Sequence, residues 1–361
     1  MAYLHEAEPL AEALDDPRRL GQVCLFLSLC FTNRGAYDQA IAAAQRTLVL
    51  ATAGGEVVLH ALATLYLGIA YYAQGDYRRA IDCFRQTVTF FEGARRHERF
   101  GLPFLPAVTS RAWLAACHAE LGTFAEGRAL GEEGLRIAEA VAHPGSLMWA
   151  SWWDGLLTLS QGDLRRALPL LERALDICQD VDIPAYFPGI AANLGEAYTL
   201  SGRVADAVPL LTQALEQTTT TEWVGLHALW CHPLGEAYML AGRMEEAQAL
   251  AERVLARARA HQERGHQAYA LRLLGDIAAR REPPVNAPAE AYYEQALALA
   301  EELGMHPLQA HCHLGLGTLY AATGQREQAR AALSTAIALY RAMEMHFWLP
   351  QAEAALAQVE G

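Results

Sequence analysis

The chain has 361 residues, a 53% hydrophobic fraction and a formal net charge of -13. An acidic chain repels phosphate backbones, which disfavours nucleic acid as a partner, and the basic runs are no longer than pairs such as Arg95-Arg96 and Arg165-Arg166. Alanine and leucine dominate while β-branched clusters are scarce, so the chain reads as all-α.

The N-terminal stretch MAYLHEAEPLAEALDD has no basic segment followed by an apolar one, so it does not read as a secretion signal. Residues 1–14 read as one amphipathic helix with no partner helix before it, which suggests a piece of something longer. Asp15-Asp16-Pro17 ends that helix and starts the next, proline being well placed in a first helical turn. The most apolar stretch, Val57 to Ala73, is interrupted by His60 and followed by a Gly-Asp turn; a spanning helix needs about 20 apolar residues, so this reads as a helix buried by its neighbours, with no membrane partner. Seven cysteines are scattered without a CxxC, which reads as reduced buried thiols in a cytoplasmic protein.

From residue 15 a unit recurs: helix A, a glycine turn, helix B, a short connection. The turn glycines are Gly35, Gly75, Gly122, Gly162, Gly202, Gly242 and Gly324; four intervals are 40 residues, one is 47 and one is 82. The longest interval holds a unit whose turn is Arg281-Glu282-Pro283-Pro284. The repeat is plainest where LGEAYTLSGRVADA (Leu194 to Ala207) returns as LGEAYMLAGRMEEA (Leu234 to Ala247), with nine of fourteen positions identical. Counting from seven residues before the small residue of helix A, position 8 is small (Gly68, Ala115, Gly155, Gly195, Gly235, Gly275, Gly317) and position 20 is alanine (Ala40, Ala80, Ala167, Ala207, Ala247, Ala329). Position 11 is often tyrosine (Tyr71, Tyr198, Tyr238, Tyr320) and position 24 often large (Phe84, Leu171, Leu211, Leu333). Small residues let helices A and B approach closely, and the large ones are expected to fill the space to the next unit.

This spacing resembles the tetratricopeptide repeat. The expected fold is an all-α, right-handed α-solenoid of about eight helix pairs with a ~40-residue period. As one domain over 1–361, its repeats fall at about 15–53, 55–93, 103–142, 145–181, 184–219, 223–261, 264–304 and 306–345, with a capping helix at 349–358. Two irregularities stand out. The extra residues of the 47-residue interval lie in RRHERFGLPFLP (Arg95 to Pro106), a packed connector, a binding loop or a hinge. Helix B of unit three carries Gly127, Gly131 and Gly134, each costing ~1 kcal/mol against alanine. Either close helix packing offsets that cost, or this is the weak point of the array.

The C-terminal half, through ARAHQERGHQAYALRLLGDIAARREPP (Ala256 to Pro284), AEAYYEQALALAEELGMHPLQAHCHLGLGTLY (Ala289 to Tyr320) and GQREQARAALSTAIALYRAMEMHFWLPQAEA (Gly324 to Ala354), resembles the C-terminal repeats of bacterial signalling proteins. Those join a class III nucleotide cyclase or other output domain to a STAND-type ATPase and a tetratricopeptide sensor. More distantly it resembles the sensor region of the maltose-regulon activator. The chain has no GxxxxGK[ST], so the resemblance implies a sensor and interaction arm without the catalytic machinery.

No GxSxG, HExxH or CxxC occurs, and no catalytic residue, cofactor or metal is expected. Gly315-Leu316-Gly317 lies inside a helix without a strand before it and reads as packing glycine; in His311-Cys312-His313, neighbours two apart point to different faces, which argues against a shared ion. In this repeat family, positions 2, 5, 9 and 12 of helix A face a concave groove. Position 9 is Glu196, Glu236 and Asp276 in three consecutive units, and His232, Arg272 and His311 join them from positions 5, 5 and 2. Consecutive helices pack ~10 Å apart, so the carboxylates form a row. The row either receives a basic peptide or an amine-bearing ligand or is neutralised internally by Arg272 and Arg243. Trp149 and Trp152 occupy positions 2 and 5 of unit four, with Trp153 beside them. They either face the groove as aromatic anchors or pack against unit five and the 183–188 connector. The expected partner is a protein or peptide, or a small-molecule ligand, bound without catalysis.

Overall fold

The computed structural model describes residues 2–220, 227–281 and 286–361, and among these the regular structure is helical throughout. Helix α1 (Ala2–Ala13) precedes consecutive pairs: α2 (Pro17–Asn33) with α3 (Tyr37–Gly54), α4 (Val57–Gln74) with α5 (Tyr77–Phe90), α6 (Pro106–Leu121) with α7 (Phe124–Val141), and α8 (Pro144–Gln161) with α9 (Leu164–Asp180). Then follow α10 (Phe187–Leu200) with α11 (Val204–Thr220), α12 (His227–Leu240) with α13 (Met244–Ala260), α14 (Arg264–Arg280) with α15 (Asn286–Leu303), and α16 (His306–Ala322) with α17 (Arg326–Ala342). Helix α18 (Leu349–Glu360) covers the end of the last pair. This is an α-solenoid. Two expected features lie outside the described residues: the start of unit six at 223, and the turn of unit seven beyond Arg281.

The local chemistry explains each pair. The seven turn glycines have φ between 69° and 86°, a left-handed conformation that side chains disfavour. Where aspartate follows the glycine it caps helix B: Asp76 accepts from the Arg79 backbone N–H at 3.2 Å and Asp163 from that of Arg166 at 3.3 Å. The position-20 alanines are fully buried. The large residue at position 24 sits on the small residue of its own pair, a difference from the expectation that it spans to the next. A Cβ on Gly68 would lie 2.6 Å from the Phe84 ring, and one on Gly195 2.4 Å from Leu211. Phe84 does both, since it also stacks on Trp113 of the following pair with centroids 6.3 Å apart.

Helix α4 is long and apolar enough to cross a membrane by composition, but 78% of it is buried inside the protein. Its neighbours α2, α3, α5 and α6 supply the cover. All seven cysteines carry free thiols, and six are buried.

Two of the three glycines of α7 mark close packing. A Cβ on Gly127 would meet Leu157 at 2.7 Å, and one on Gly131 would meet the Asp154 carboxylate at 2.4 Å. Gly134 differs, with its nearest neighbour at 3.8 Å. Beside it the fully buried Arg111 pairs with Glu92 and, at 3.0 Å, with Glu133. Arg96 joins the same two carboxylates, which ties the 95–106 connector to α7.

The coil closes on itself. The turn after α2 meets the chain before α14, where Tyr37 donates to Glu263 at 2.6 Å and His261 Nδ1 lies 3.2 Å from the Gly35 carbonyl oxygen. After α4, Tyr77 packs on Met305 before α16, with oxygen and sulfur 3.9 Å apart. After α6, the Leu121 carbonyl lies 2.9 Å from His306 Nδ1. At the end of α8, Gln161 donates to the Met343 carbonyl at 3.3 Å, and Gly162 is pressed against Trp348 before α18. Successive turns of the coil touch, so the concave side is an interior.

Candidate ligand site inside the coil

Two adjoining cavities occupy that interior. The larger, of about 480 Å3, takes wall residues from every A helix from α4 to α16. The smaller, of about 180 Å3, lies towards the first four pairs, and the two share Leu156 and Asn193. Glu196, His232, Glu236, Arg272, Asp276 and His311 all line the larger cavity, and Trp149 and Trp152 line the smaller.

The charged row is largely neutralised from within. Arg272 pairs with Glu236 and, at 2.8 Å, with Asp276, while its Nε has no partner among the described residues. Tyr293 donates to Asp276 at 2.6 Å. Burial raises the pKa of both carboxyls; at Glu236 Arg272 and His232 outweigh burial and the net shift is downward, whereas at Asp276 burial prevails. Burial opposes charge on Arg272, but its two carboxylates raise its pKa above the ordinary value. Burial, aided by Arg272, lowers His232 to about 4 and His311 to about 3, so both rings are neutral at pH 7. His311 Nδ1 lies 2.8 Å from the Tyr340 hydroxyl, and its ring packs edge-on to Trp348 at 4.7 Å. Arg243 stays out of this network; it pairs with Glu246 and stacks over Tyr238 at 4.0 Å.

Glu196 is different. Among the described residues no side chain pairs with its carboxyl, and burial with the nearby Glu236 raises its pKa to about 8. Glu120, a fourth carboxyl in the same wall, accepts from Tyr269 at 3.0 Å and Tyr72 at 3.2 Å. Burial raises its pKa, and the two tyrosines oppose the rise. Tyr269 reaches Glu120 from the opposite turn of the coil, so this bond also helps to close it. Among the described residues no group of three His, Cys, Asp or Glu side chains is placed to hold a metal ion.

The smaller cavity is aromatic. Trp113 and Trp153 have ring centroids 4.2 Å apart, Trp149 stacks on Phe104 at 5.0 Å, and Trp149 meets Trp152 edge-on at 5.5 Å. Trp152 donates to Asn193 of α10 at 2.7 Å, and Trp149 packs against Tyr186 of the connector at 5.4 Å. Trp149 and Trp152 therefore pack on unit five and its connector, as one of the two alternatives had it, and they also line this cavity. The indole N–H groups of Trp113, Trp149 and Trp153 are buried without a partner among the described residues, each a cost of about 1–3 kcal/mol. The 95–106 connector is packed only at its end, where Phe104, Leu105 and Pro106 are buried while Arg95, His97, Glu98 and Arg99 are exposed; its Leu102, Pro103 and Phe104 form a wall of this cavity.

Sequence reasoning missed several lining residues. Tyr72 and Tyr269 stand at positions 12 and 2 and were within reach of the rule used. Asn193, Trp113 and Trp153 at position 6, and Glu120 at position 13, were not. Closure of the coil turns those positions inward as well.

Family models described as tetratricopeptide repeat match residues 22–93 and 288–342, 65–142, 158–229 and 231–264, together more than half of the chain. No curated protein sequence matches it. Among solved structures, it is similar to the Rap conjugation gene regulator of the plasmid pLS20 in complex with the Phr* peptide, with TM-score 0.61, 17% identity, and coverage of 95% of this chain and 94% of that one. A Rap protein complexed with Competence and Sporulation Factor gives TM-score 0.59 at 14% identity, covering 83% and 85%. The apo form of the quorum sensor NprR from B. thuringiensis gives 0.55 at 15% identity, covering 92% and 91%. At these identities the likeness is one of fold. With the repeat spacing, the turn geometry and the matching family models in agreement, the chain belongs to the tetratricopeptide-repeat family.

Proposed function

We propose that the chain is a non-catalytic binding arm that takes a protein or peptide segment, or a small ligand, into the interior of its coil. The observation that carries this reading is the pair of adjoining cavities, one lined by a paired charge network and one by tryptophans, at the centre of an otherwise tightly packed array. Ligand sites are concave, mostly apolar and fixed by a few polar groups, and this interior fits that description. Closure of the coil supplies a mechanism. A ligand that widens or narrows the interior strains or relieves the bonds between turns, such as Tyr37 to Glu263 and Tyr269 to Glu120, and so shifts the array between two curvatures.

The sequence resemblance favours a sensor arm of a larger bacterial signalling ATPase or cyclase in the cytoplasm, whose output domain responds to that curvature. A second reading is a stand-alone peptide-binding adaptor. It is favoured by similarity to two Rap structures over 94% and 85% of their lengths, one in complex with the Phr* peptide and one complexed with Competence and Sporulation Factor. Selection of peptides from a display library on the full chain tests the shared part of both readings. Peptides so obtained are expected to slow hydrogen exchange in α10, α14 and α16. Protection confined to the outward B helices would contradict interior binding.

A further inference from the structure

The two cavities meet on one helix. Asn193 and Glu196 are one turn apart on α10, a separation of ~5–6 Å between neighbouring side chains. Asn193 holds the Trp152 indole and belongs to both cavities. Glu196 faces the larger one. Of the four carboxyls in that wall, Glu236 and Asp276 are met by Arg272 and Glu120 by two tyrosines; Glu196 alone has no partner among the described residues. Glu196 is half-buried and opens on the cavity with no ion-pair partner among the described residues, so a cation that enters the cavity can take the place of its proton.

The smaller cavity offers the complementary half. Its wall contains no charged side chain, and its volume exceeds the 150 Å3 that admits a benzene ring in an apolar protein cavity. Four indoles surround it, with three N–H donors left without an acceptor. A flat ring stacks there among the indoles.

Resting on the reading that the interior binds a ligand, we propose that its ligand presents an aromatic ring to the tryptophan cavity and, about one helical turn away, a protonated amine to Glu196. The recognised unit is thus an arylalkylamine, either as a free amine or as an aromatic residue beside an amino group in a peptide.

The test titrates the full chain with tyramine, with 4-ethylphenol, which lacks the amine, and with 2-cyclohexylethylamine, which lacks the aromatic ring. Calorimetry gives affinity, and the indole N–H resonances of tryptophan-labelled protein report where the ring sits. Tyramine is expected to bind about tenfold tighter than either analogue, and Glu196→Gln to erase its advantage over 4-ethylphenol. The resonances of Trp113, Trp149 and Trp153 should move, and Trp153→Phe should weaken tyramine about fivefold while leaving the Glu196 effect in place. Equal binding of the three probes, or an advantage that survives Glu196→Gln in a variant that melts normally, would overturn the assignment. Failure of tyramine while a selected peptide still protects α10 and α14 overturns this inference and leaves interior binding intact. Glu196-dependent tyramine binding with peptides bound only outside supports it and rejects the peptide reading.

Discussion

Arg272 balances the charge of the interior. It faces two carboxylates from its own and the preceding pair, in surroundings where an unpartnered charge is costly. Arg272→Met is expected to destabilise the chain by about 3–5 kcal/mol, measured by chemical denaturation, and adding Glu236→Gln and Asp276→Asn should recover most of the loss. Glu196 gives a different signature. Folded, it keeps its proton to about pH 8, against an ordinary value of 4.5, so between those values the folded state binds more protons than the unfolded state. Stability contributed by this group is full below the lower value and falls as pH rises through the window. Glu196→Gln removes that fall. The variant should match the parent in acid and exceed it above pH 8 by on the order of 1 kcal/mol, discounted for water in the cavity. Melting curves across pH that stay parallel would contradict this. The identities of these residues were legible from positions 5 and 9 of the repeat. Their pairing was not, because one arginine serving two carboxylates depends on how far consecutive helices are offset.

At the scale of the helix, α7 shows glycines with different uses. Gly131 yields space to the Asp154 carboxylate and Gly134 yields space to nothing closer than 3.8 Å. Gly131→Ala is expected to cost about 1–3 kcal/mol through overpacking, whereas Gly134→Ala should gain up to ~1 kcal/mol from helix propensity. Equal effects on the urea midpoint would show that packing does not separate them. The period, the turns and the paired helices were readable because each follows from contacts within one unit: glycine where the chain leaves helix A, alanine where two helices cross, aspartate where a helix begins. The role of the 95–106 connector was not readable, because Phe104 acquires its meaning from Trp149, 45 residues further on.

Across the whole molecule, the distinctive feature is contact between successive turns of the coil. A solenoid held only by nearest neighbours unfolds in segments, whereas one closed on itself gains coupling between distant units. Tyr37→Phe is expected to cost about 1 kcal/mol and to speed hydrogen exchange both at the start of α3 and at the start of α14, although 226 residues separate the bonded partners. Faster exchange at α3 alone would mean that the turns touch without supporting each other. Nothing periodic in the sequence announces these contacts, since they join the ends of A helices to the starts of others far along the chain. The interior follows from them, and so does its sheltered chemistry.

That interior binding is the function can be tested by placing a photo-reactive group on a peptide selected for the full chain and mapping its attachment. The chain contains no lysine, so an amine-directed cross-linker would miss the site. Attachment is expected at inward residues of the A helices, among them those around Glu196, Arg272 and Trp152. Attachment concentrated on the outward faces of the B helices would contradict it.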